Sequence, residues 1–211
     1  MLPAMGYETE FTGSMAVVPP LNAAEIAFLA RFSNTRRMDR AKGPYFVDGS
    51  GHAGQGRDPD IRDFNKPFEG QPGLWCRWEA SADGSRIAWN GAEKFYDAAE
   101  WMAYLIDHFL KPGAVASGPV EEAWVRPVGF AGFTFDHVVN GRIGAEGEEP
   151  GDVWRIEVRD NVAYVVCREP LDPEGEWGGP CEHAVWRFEG GASRRLSGED
   201  AAGFDEVEAT P

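Results

Sequence analysis

The residue types best suited to binding are concentrated in one stretch of the chain, residues 74–113. Four of the eight tryptophans fall there, with Arg, Lys, Glu and Tyr between them. Trp, Tyr and Arg are the side chains that most often anchor interfaces. Several of these side chains are not directed into a core by the strand and helix patterns, and we take them as candidate binding residues: Trp75, Arg77, Glu93, Lys94, Tyr96 and Trp101.

Two interpretations of these aromatic residues remain open. Both faces of the sheet could be partly covered, for example by a long loop at residues 38–73. Alternatively, Trp75 and Trp101 belong to an exposed aromatic patch ringed by acidic side chains, which would mark a site for a partner or ligand.

The sequence contains no convincing pairing of a nucleophile with a base. Cys76 shares a strand face with Leu74 and Trp78, which indicates burial rather than reactivity. A G-x-S-x-G elbow is absent. Carboxylate pairs say little in a chain with 35 Asp and Glu residues. We predict no catalytic residues, which favours a non-enzymatic protein but leaves an enzyme open.

Metal and cofactor sites are not predicted either. Cys181 and His183 form the only close Cys/His pair, and zinc needs more ligands than that. The acidic segment 146–152 lacks the spacing of a calcium loop. Residues Gly49–Gly54 match G-x-G-x-x-G formally, but the following Arg57–Asp60 does not start the helix whose N-terminus would hold a pyrophosphate.

The charge of the chain is strongly negative and unevenly distributed. The net charge is −15, of which −12 falls in residues 113–211. A nucleic-acid binder needs a basic surface to replace the counterions of phosphate, so direct nucleic-acid binding is not expected. The sequence shows no membrane span and no secretory signal, and the three cysteines form no disulfide framework. We expect a cytoplasmic protein of one domain, 1–189, with an acidic and disordered tail, 190–211.

Periodicity predicts the elements of the first third of the chain. Alternating side chains predict a strand over Tyr7–Val18. An N-x-x-E capping box at Asn22 and Glu25 begins a helix that runs to about Arg36. Residues 38–73 are rich in Gly, Pro and Asp and form a long connection.

The stretch 74–113 predicts a hairpin followed by a helix. Leu74–Glu79 and Arg86–Trp89 alternate on either side of Asp83-Gly84, which suits a tight turn. Trp78 and Trp89 would then pair across the hairpin. A second N-x-x-E box, beginning at Asn90, predicts that the helix starts there and continues to Pro112-Gly113.

The remaining elements are strands. Asn140-Gly141 is a hairpin signal, yet alternation continues through it over Phe133–Ala145. We leave both interpretations open and favour one long strand bent at Gly141. Asp160-Asn161 turns a second hairpin, and Ala184–Phe188 is a candidate edge strand.

The order of elements, βαββαβββ, predicts an α+β fold. Two helices would pack on one face of a mainly antiparallel sheet. The first six elements match a ferredoxin-like split βαβ core, to which a C-terminal hairpin is added.

The residues also carry a family resemblance. Pro19-Pro20-Leu21, the run Gln71–Trp78, Glu93–Tyr96 and Asn140-Gly141 together resemble a group of short hypothetical proteins of actinobacteria and their phages with no assigned activity. The resemblance covers about residues 7–168. It implies a shared fold and an association with phage–host interaction, and it brings no catalytic residues.

Two hypotheses for function follow from the sequence. The first is a non-enzymatic protein whose acidic, tryptophan-bearing surface binds a protein partner with a basic surface. The alternative is an enzyme or small-ligand-binding protein with a pocket between the sheet and the 38–73 loop. Glu93, Lys94 and Tyr96 would lie near the mouth of that pocket.

Overall fold

The structure is a computed structural model that describes residues 7–47, 58–118, 130–170 and 181–205. Within these residues the chain forms ten strands, two α-helices and one π-helical turn. Their bounds, in chain order, are β1 Thr9–Val18, α1 Ala23–Ser33, β2 Met38–Arg40, β3 Ile61–Pro67, β4 Trp78–Ala80, β5 Arg86–Trp89, α2 Ala98–Leu105, the π-helical turn Ile106–Leu110, β6 Val138–Gly147, β7 Val153–Arg159, β8 Val162–Pro170, β9 Cys181–Glu189 and β10 Ala192–Arg195.

Eight of the strands form one sheet in the order β10-β9-β8-β7-β6-β1-β5-β4, and all neighbours are antiparallel. The prediction of an α+β fold with two helices and a mainly antiparallel sheet is confirmed. The predicted order of elements was incomplete. Residues 38–73 contain β2 and β3, which pair as a separate two-stranded sheet. Most side chains of β3 are exposed, so this segment lacks the alternation that reveals a strand.

The start of α1 follows its local sequence. Asn22 Oδ1 accepts hydrogen bonds from the N–H groups of Ala24 (2.9 Å) and Glu25 (3.2 Å). Glu25 Oε2 accepts in return from the Asn22 N–H at 2.7 Å. The predicted capping box is therefore confirmed, and it satisfies N–H groups that have no partner inside the helix.

The start of α2 was predicted wrongly. The helix begins at Ala98, eight residues after the predicted cap at Asn90. Asn90 Oδ1 instead accepts from the Ala92 N–H at 3.0 Å and closes a local turn. Lys94 and Asp97 have φ values of 58° and 57°, a left-handed conformation that cannot continue an α-helix.

The predicted hairpins are confirmed. Trp78 lies opposite Trp89 across β4 and β5. Asp160 and Asn161 connect β7 to β8 with φ values of 47° and 69°, as expected of a two-residue hairpin turn. The continuous strand is the correct interpretation of Asn140-Gly141, since β6 passes through both residues.

Gly141 explains how β6 stays continuous. Its φ is 145°, and a Cβ atom at this position would lie 3.0 Å from the backbone oxygen of Ser14. Glycine is therefore needed for the close approach of β6 to β1, not for a reversal of the chain.

The core lies between the helices and one face of the sheet. Phe11 of β1 is a centre of this core, because its ring makes edge contacts at 5.5–5.7 Å with four other rings: Trp78, Trp89, Phe95 and Trp154. Aromatic contacts of this geometry contribute beyond their buried area. A second aromatic group joins α1 to the π-helical turn through Phe28, Phe32 and Phe109.

The C-terminal segment differs from the expectation of a disordered tail. Residues 192–195 pair with β9, and Phe204 is only 8% exposed. Phe204 and Leu196 join a small second core with Val166 and Val185. Val165 packs against the main core, so its neighbour Val166 faces the opposite side of the sheet. Ala201 packs against the same cluster, and Arg159 Nη2 donates to the Gly203 carbonyl at 2.7 Å, so several contacts hold the segment on the sheet. Residues 206–211 and the Gly49–Gly54 motif lie outside the described residues.

None of the helices in the described ranges is both long enough and apolar enough to cross a membrane.

Candidate ligand-binding site

The structure does not bring the six predicted binding residues together around a cavity. Trp101 is fully buried, at 0% exposure, so its assignment to an exposed patch is wrong. Nearly every position of the short helix α2 is buried, whereas a helix on the surface of a core normally leaves one face exposed. The Trp101 ring makes edge contacts with Phe32 of α1 and with Tyr104.

Trp75 and Arg77 form a pair of their own. The Arg77 guanidinium lies 4.2 Å from the centre of the Trp75 ring, and both side chains are half-buried. Partial burial lowers the pKa of Arg77. Much of the Trp75 ring surface is therefore used within the molecule, where it gains a cation–π contact.

The remaining three candidates lie on an exposed surface. Glu93 and Lys94 are exposed, and Tyr96 is 52% exposed. The charges of Glu93 and, more weakly, of Glu148 raise the pKa of the Glu8 carboxyl, so three acidic side chains share this surface.

The main cavity of the described structure lies elsewhere. Its volume is about 780 Å³, within the range of small-molecule sites. Three segments of the chain line it together with Pro44: the loop 69–72, residues between 100 and 115, and the end of β9 with its turn into β10. The principal lining residues are Glu69, Gln71, Glu100, Tyr104, Asp107, His108, Lys111, Val115 and Phe188.

One helical face supplies most of the polar groups. The lining residues of this face fall at intervals of three and four, which places them in one row along the helix: Glu100, Ala103, Tyr104, Asp107, His108 and Lys111. The row passes from α2 into the π-helical turn, where the Lys111 N–H donates to the Ile106 carbonyl at 3.1 Å. Single π-helical turns occur frequently at functional sites.

Tyr104 and His108 form the aromatic wall of the cavity. Their rings stack with centroids 3.8 Å apart and planes inclined by 16°. The Tyr45 hydroxyl and His108 Nδ1 are 2.6 Å apart, within hydrogen-bonding distance. Gln71 Nε2 donates to the Pro44 carbonyl at 2.8 Å and to the Tyr104 hydroxyl at 3.3 Å. The wall is thus held in position before any ligand enters.

Burial controls the charge of this wall. It lowers the pKa of His108 from 6.5 to about 4, so the imidazole is neutral at neutral pH. Within the described part of the chain, the Tyr45 hydroxyl is the hydrogen-bond partner of Nδ1, and Nε2 has none. A neutral ring with one unused nitrogen can donate to or accept from a ligand, depending on its tautomer.

Asp107 connects the helix to the turn between β9 and β10, on the other side of the cavity. Its carboxylate pairs with Lys111 Nζ at 2.5 Å and accepts from the Gly190 N–H at 2.9 Å. Gly190 and Gly191 turn β9 into β10 with φ values of 59° and 76°, which glycine adopts without strain. The C-terminal hairpin therefore forms a wall of the cavity.

Two carboxylates of the lining are not neutralised by a described cation. Asp107 pairs with Lys111, and Glu189 pairs with Arg187 at 2.6 Å. Glu69 and Glu100 make no ion pair with any other described residue. Glu100 is exposed to solvent, and its pKa is raised by desolvation from the neighbouring protein and by the charge of Asp97.

Sequence reasoning missed this site because it is assembled from distant segments. The polar row along the helix was not singled out from the sequence, because polar side chains at this spacing are typical of a solvated helix face. The other two parts fell in the predicted loop 38–73 and in the predicted tail. Among the described side chains, no three His, Cys, Asp or Glu residues are grouped to hold a metal ion.

Comparison with known proteins adds no assignment. No family model matches the chain, and no curated protein and no solved structure matches it significantly.

Proposed function

We propose that the protein binds a small organic ligand in the cavity lined by Tyr104 and His108. The observation that carries this proposal is a cavity of about 780 Å³ with a stacked aromatic pair in its wall. Pockets of this size with a few fixed polar groups are the usual sites of small ligands. The proposal is the alternative hypothesis from the sequence, with one change, since Glu93, Lys94 and Tyr96 do not line the cavity.

The chemistry of the wall supports binding rather than catalysis. The only serine or cysteine among the lining residues is Ser193, on the exposed strand β10, and no hydrogen bond joins it to a described base. The polar groups of Gln71, Asp107 and Tyr45 are engaged in holding the wall. The absence of enzymatic activity stays a prediction.

A thermal-shift screen tests the proposal. A ligand that binds only the folded state raises the melting temperature, and a concentration 100-fold above Kd stabilises the fold by about 2.7 kcal/mol. The variant Ser193→Trp places an indole in the cavity from its exposed rim and is expected to abolish the shift. Arg194→Trp is the matched control, because adjacent side chains of a strand point to opposite faces. A hit that both variants retain equally would contradict the location of the site.

A second candidate function is supported by a different surface. Glu8, Glu93 and Glu148 are close enough to raise the pKa of the Glu8 carboxyl, and the half-exposed Tyr96 follows Glu93 in the chain. This surface would fit a protein partner with a basic surface. In a pull-down experiment, this function is supported if the recovery of one protein partner is lost at high salt and is reduced by Glu93→Gln combined with Tyr96→Ser. Recovery that is insensitive to salt and to both substitutions would refute it.

We also propose that four strands and the two helices form a ferredoxin-like core. The order β4-β5-β1-β6, with α1 in the connection from β1 to β4 and α2 in the connection from β5 to β6, supports a ferredoxin-like core. The relationship to short actinobacterial and phage proteins stays a prediction. So does a cytoplasmic location, which is supported by the free thiols of Cys76 and Cys167.

A further inference from the structure

We infer that the ligand of this cavity is an organic cation, namely an ammonium group carried on an apolar or aromatic body. The inference rests on the proposed function, because it names the class of ligand that the same cavity takes.

The charges of the lining favour a cation. Four carboxylates face the cavity, from Glu69, Glu100, Asp107 and Glu189, and the only lining ammonium group among the described residues is that of Lys111. Lys111 is held by Asp107 at 2.5 Å. An anionic ligand would meet uncompensated negative charge and no available guanidinium or ammonium group, which costs free energy on binding.

Glu69 and Glu100 are the carboxylates that would pair with the ammonium group of the ligand. They approach the cavity from different elements, Glu69 from the loop before Gln71 and Glu100 from α2. Neither has an ion-pair partner among the described residues, in contrast to Asp107 and Glu189. A bound ammonium group would neutralise these two carboxylates at the cavity.

The aromatic and apolar groups determine the rest of the ligand. Cations are attracted to the faces of aromatic rings. Tyr104 is only 6% exposed and stacks on His108, so the half-exposed His108 ring is the aromatic surface that this pair offers to the cavity. Because His108 is neutral, it does not repel a positive charge. Phe188 and Val115 supply apolar surface, and Val115 is 53% exposed without a ligand. An apolar body on the ammonium group would cover it.

Matched probes test the class of ligand by calorimetric titration at low ionic strength. One set has an aromatic body (2-phenylethylamine, 2-phenylethanol and phenylacetate) and the other an alkyl body (hexylamine, hexanol and hexanoate). At least one amine should bind ten-fold or more tightly than its alcohol and its acid. Added salt should weaken that binding, because screening reduces the attraction between exposed charges.

Charge-neutral substitutions locate the contact. Glu69→Gln and Glu100→Gln should each weaken the binding of the amine about three-fold to ten-fold, in line with a partly exposed ion pair. Glu199→Gln, an exposed residue outside the lining, should leave it unchanged. Unchanged melting temperatures of the variants without ligand would show that the fold is intact.

The outcomes separate this inference from the proposed function. If an alcohol or acid binds as tightly as its amine, and Ser193→Trp abolishes that binding, the cavity binds ligands but the inference of a cation is wrong. Equal amine affinity of Glu69→Gln, Glu100→Gln and the unmodified protein would also overturn it. If none of the six probes and no compound of the thermal-shift screen binds, both proposals are wrong.

Discussion

His137 and His108 both lie in buried surroundings, and they are used in opposite ways. His137 is 1% exposed, and both ring nitrogens have partners. Nδ1 lies 2.7 Å from the Pro19 carbonyl, and Nε2 lies 3.2 Å from Glu25 Oε1 and 3.1 Å from Thr134 Oγ1. His108 has a partner among the described residues at Nδ1 alone, and its ring lines the cavity.

The two histidines therefore have different roles. His137 belongs to a structural joint that it forms with Glu25 and Thr134, and His108 belongs to the wall of the cavity. Glu25 joins two segments, because its carboxylate caps α1 and also contacts residues 134–137, where it accepts from the Thr134 N–H at 2.7 Å and lies beside His137. Nothing in that joint is available to a ligand. The wall around His108 is also fixed by hydrogen bonds, but the ring nitrogen Nε2 has no partner among the described residues. A fully satisfied polar network stabilises a unique fold, whereas an incompletely satisfied one beside a cavity can accept a ligand.

The largest effect is expected from breaking the joint. Glu25→Ala removes the acceptor of three described hydrogen bonds and leaves His137 without its carboxylate. Loss of one partner of a buried pair costs about 3–5 kcal/mol of the free energy of unfolding. Urea denaturation measures it. The control Glu10→Ala, an exposed position on β1, should change stability by less than about 0.5 kcal/mol. A loss below about 1 kcal/mol for Glu25→Ala would show that the joint is not structural.

A smaller effect is expected from acid at the cavity wall. Burial lowers the pKa of His108 to about 4, below the ordinary value of 6.5. Between these values the unfolded chain binds a proton that the folded chain does not, so stability falls as the pH falls through this window. From pH 7 to pH 5, His108 should contribute a loss of about 2 kcal/mol.

The variant His108→Gln isolates that contribution from the titration of the carboxylates. Denaturation of both proteins at pH 7 and pH 5 gives the difference, and the variant should lose less stability on acidification. If both proteins lose the same stability on acidification, His108 is as well solvated in the folded state as in the unfolded chain. The difference between His108 and His137 would then consist only of their hydrogen bonds.

The smallest effect on stability is expected at the Asp107–Lys111 pair, which is partly exposed. Asp107→Asn and Lys111→Gln should each change the free energy of unfolding by less than about 1 kcal/mol. Their effects on amine binding should have opposite signs. Asp107→Asn removes a carboxylate and weakens the bond to the Gly190 N–H. Lys111→Gln releases the Asp107 carboxylate for the ligand. Titration of both variants with 2-phenylethylamine checks this, and changes of the same sign would contradict it.

What the sequence predicts correctly is local. The capping box at Asn22 and Glu25 and the turn at Asp160-Asn161 depend on atoms a few residues apart, and both are present. The same kind of signal failed at Asn90, because its side chain closes a turn instead of capping a helix. Both outcomes are compatible with N-x-x-E, and the left-handed conformation of Lys94 and Asp97 decides between them.

What the sequence does not predict depends on tertiary contacts. Burial of Trp101 requires α1 beside α2, and the order of residues 190–205 requires the sheet face that receives Phe204. The cavity needs three segments that are distant in the chain, and a helical face that carries Glu100, Asp107 and Lys111 resembles any solvated face. Only the pairing of Tyr104 with His108 four residues later, within a polar row, was a usable signal.

The two ends of the eight-stranded sheet bear on how the protein resists aggregation. An exposed edge strand offers unpaired N–H and C=O groups to another chain. Here the edges are β4, with three residues, and β10, with four residues that include two adjacent arginines, Arg194 and Arg195. Short edges offer few backbone groups, and the exposed Arg194 adds a positive charge to β10, whereas Arg195 is paired with Glu182. A sheet of this width should therefore stay free of edge-to-edge pairing, even where the protein is concentrated.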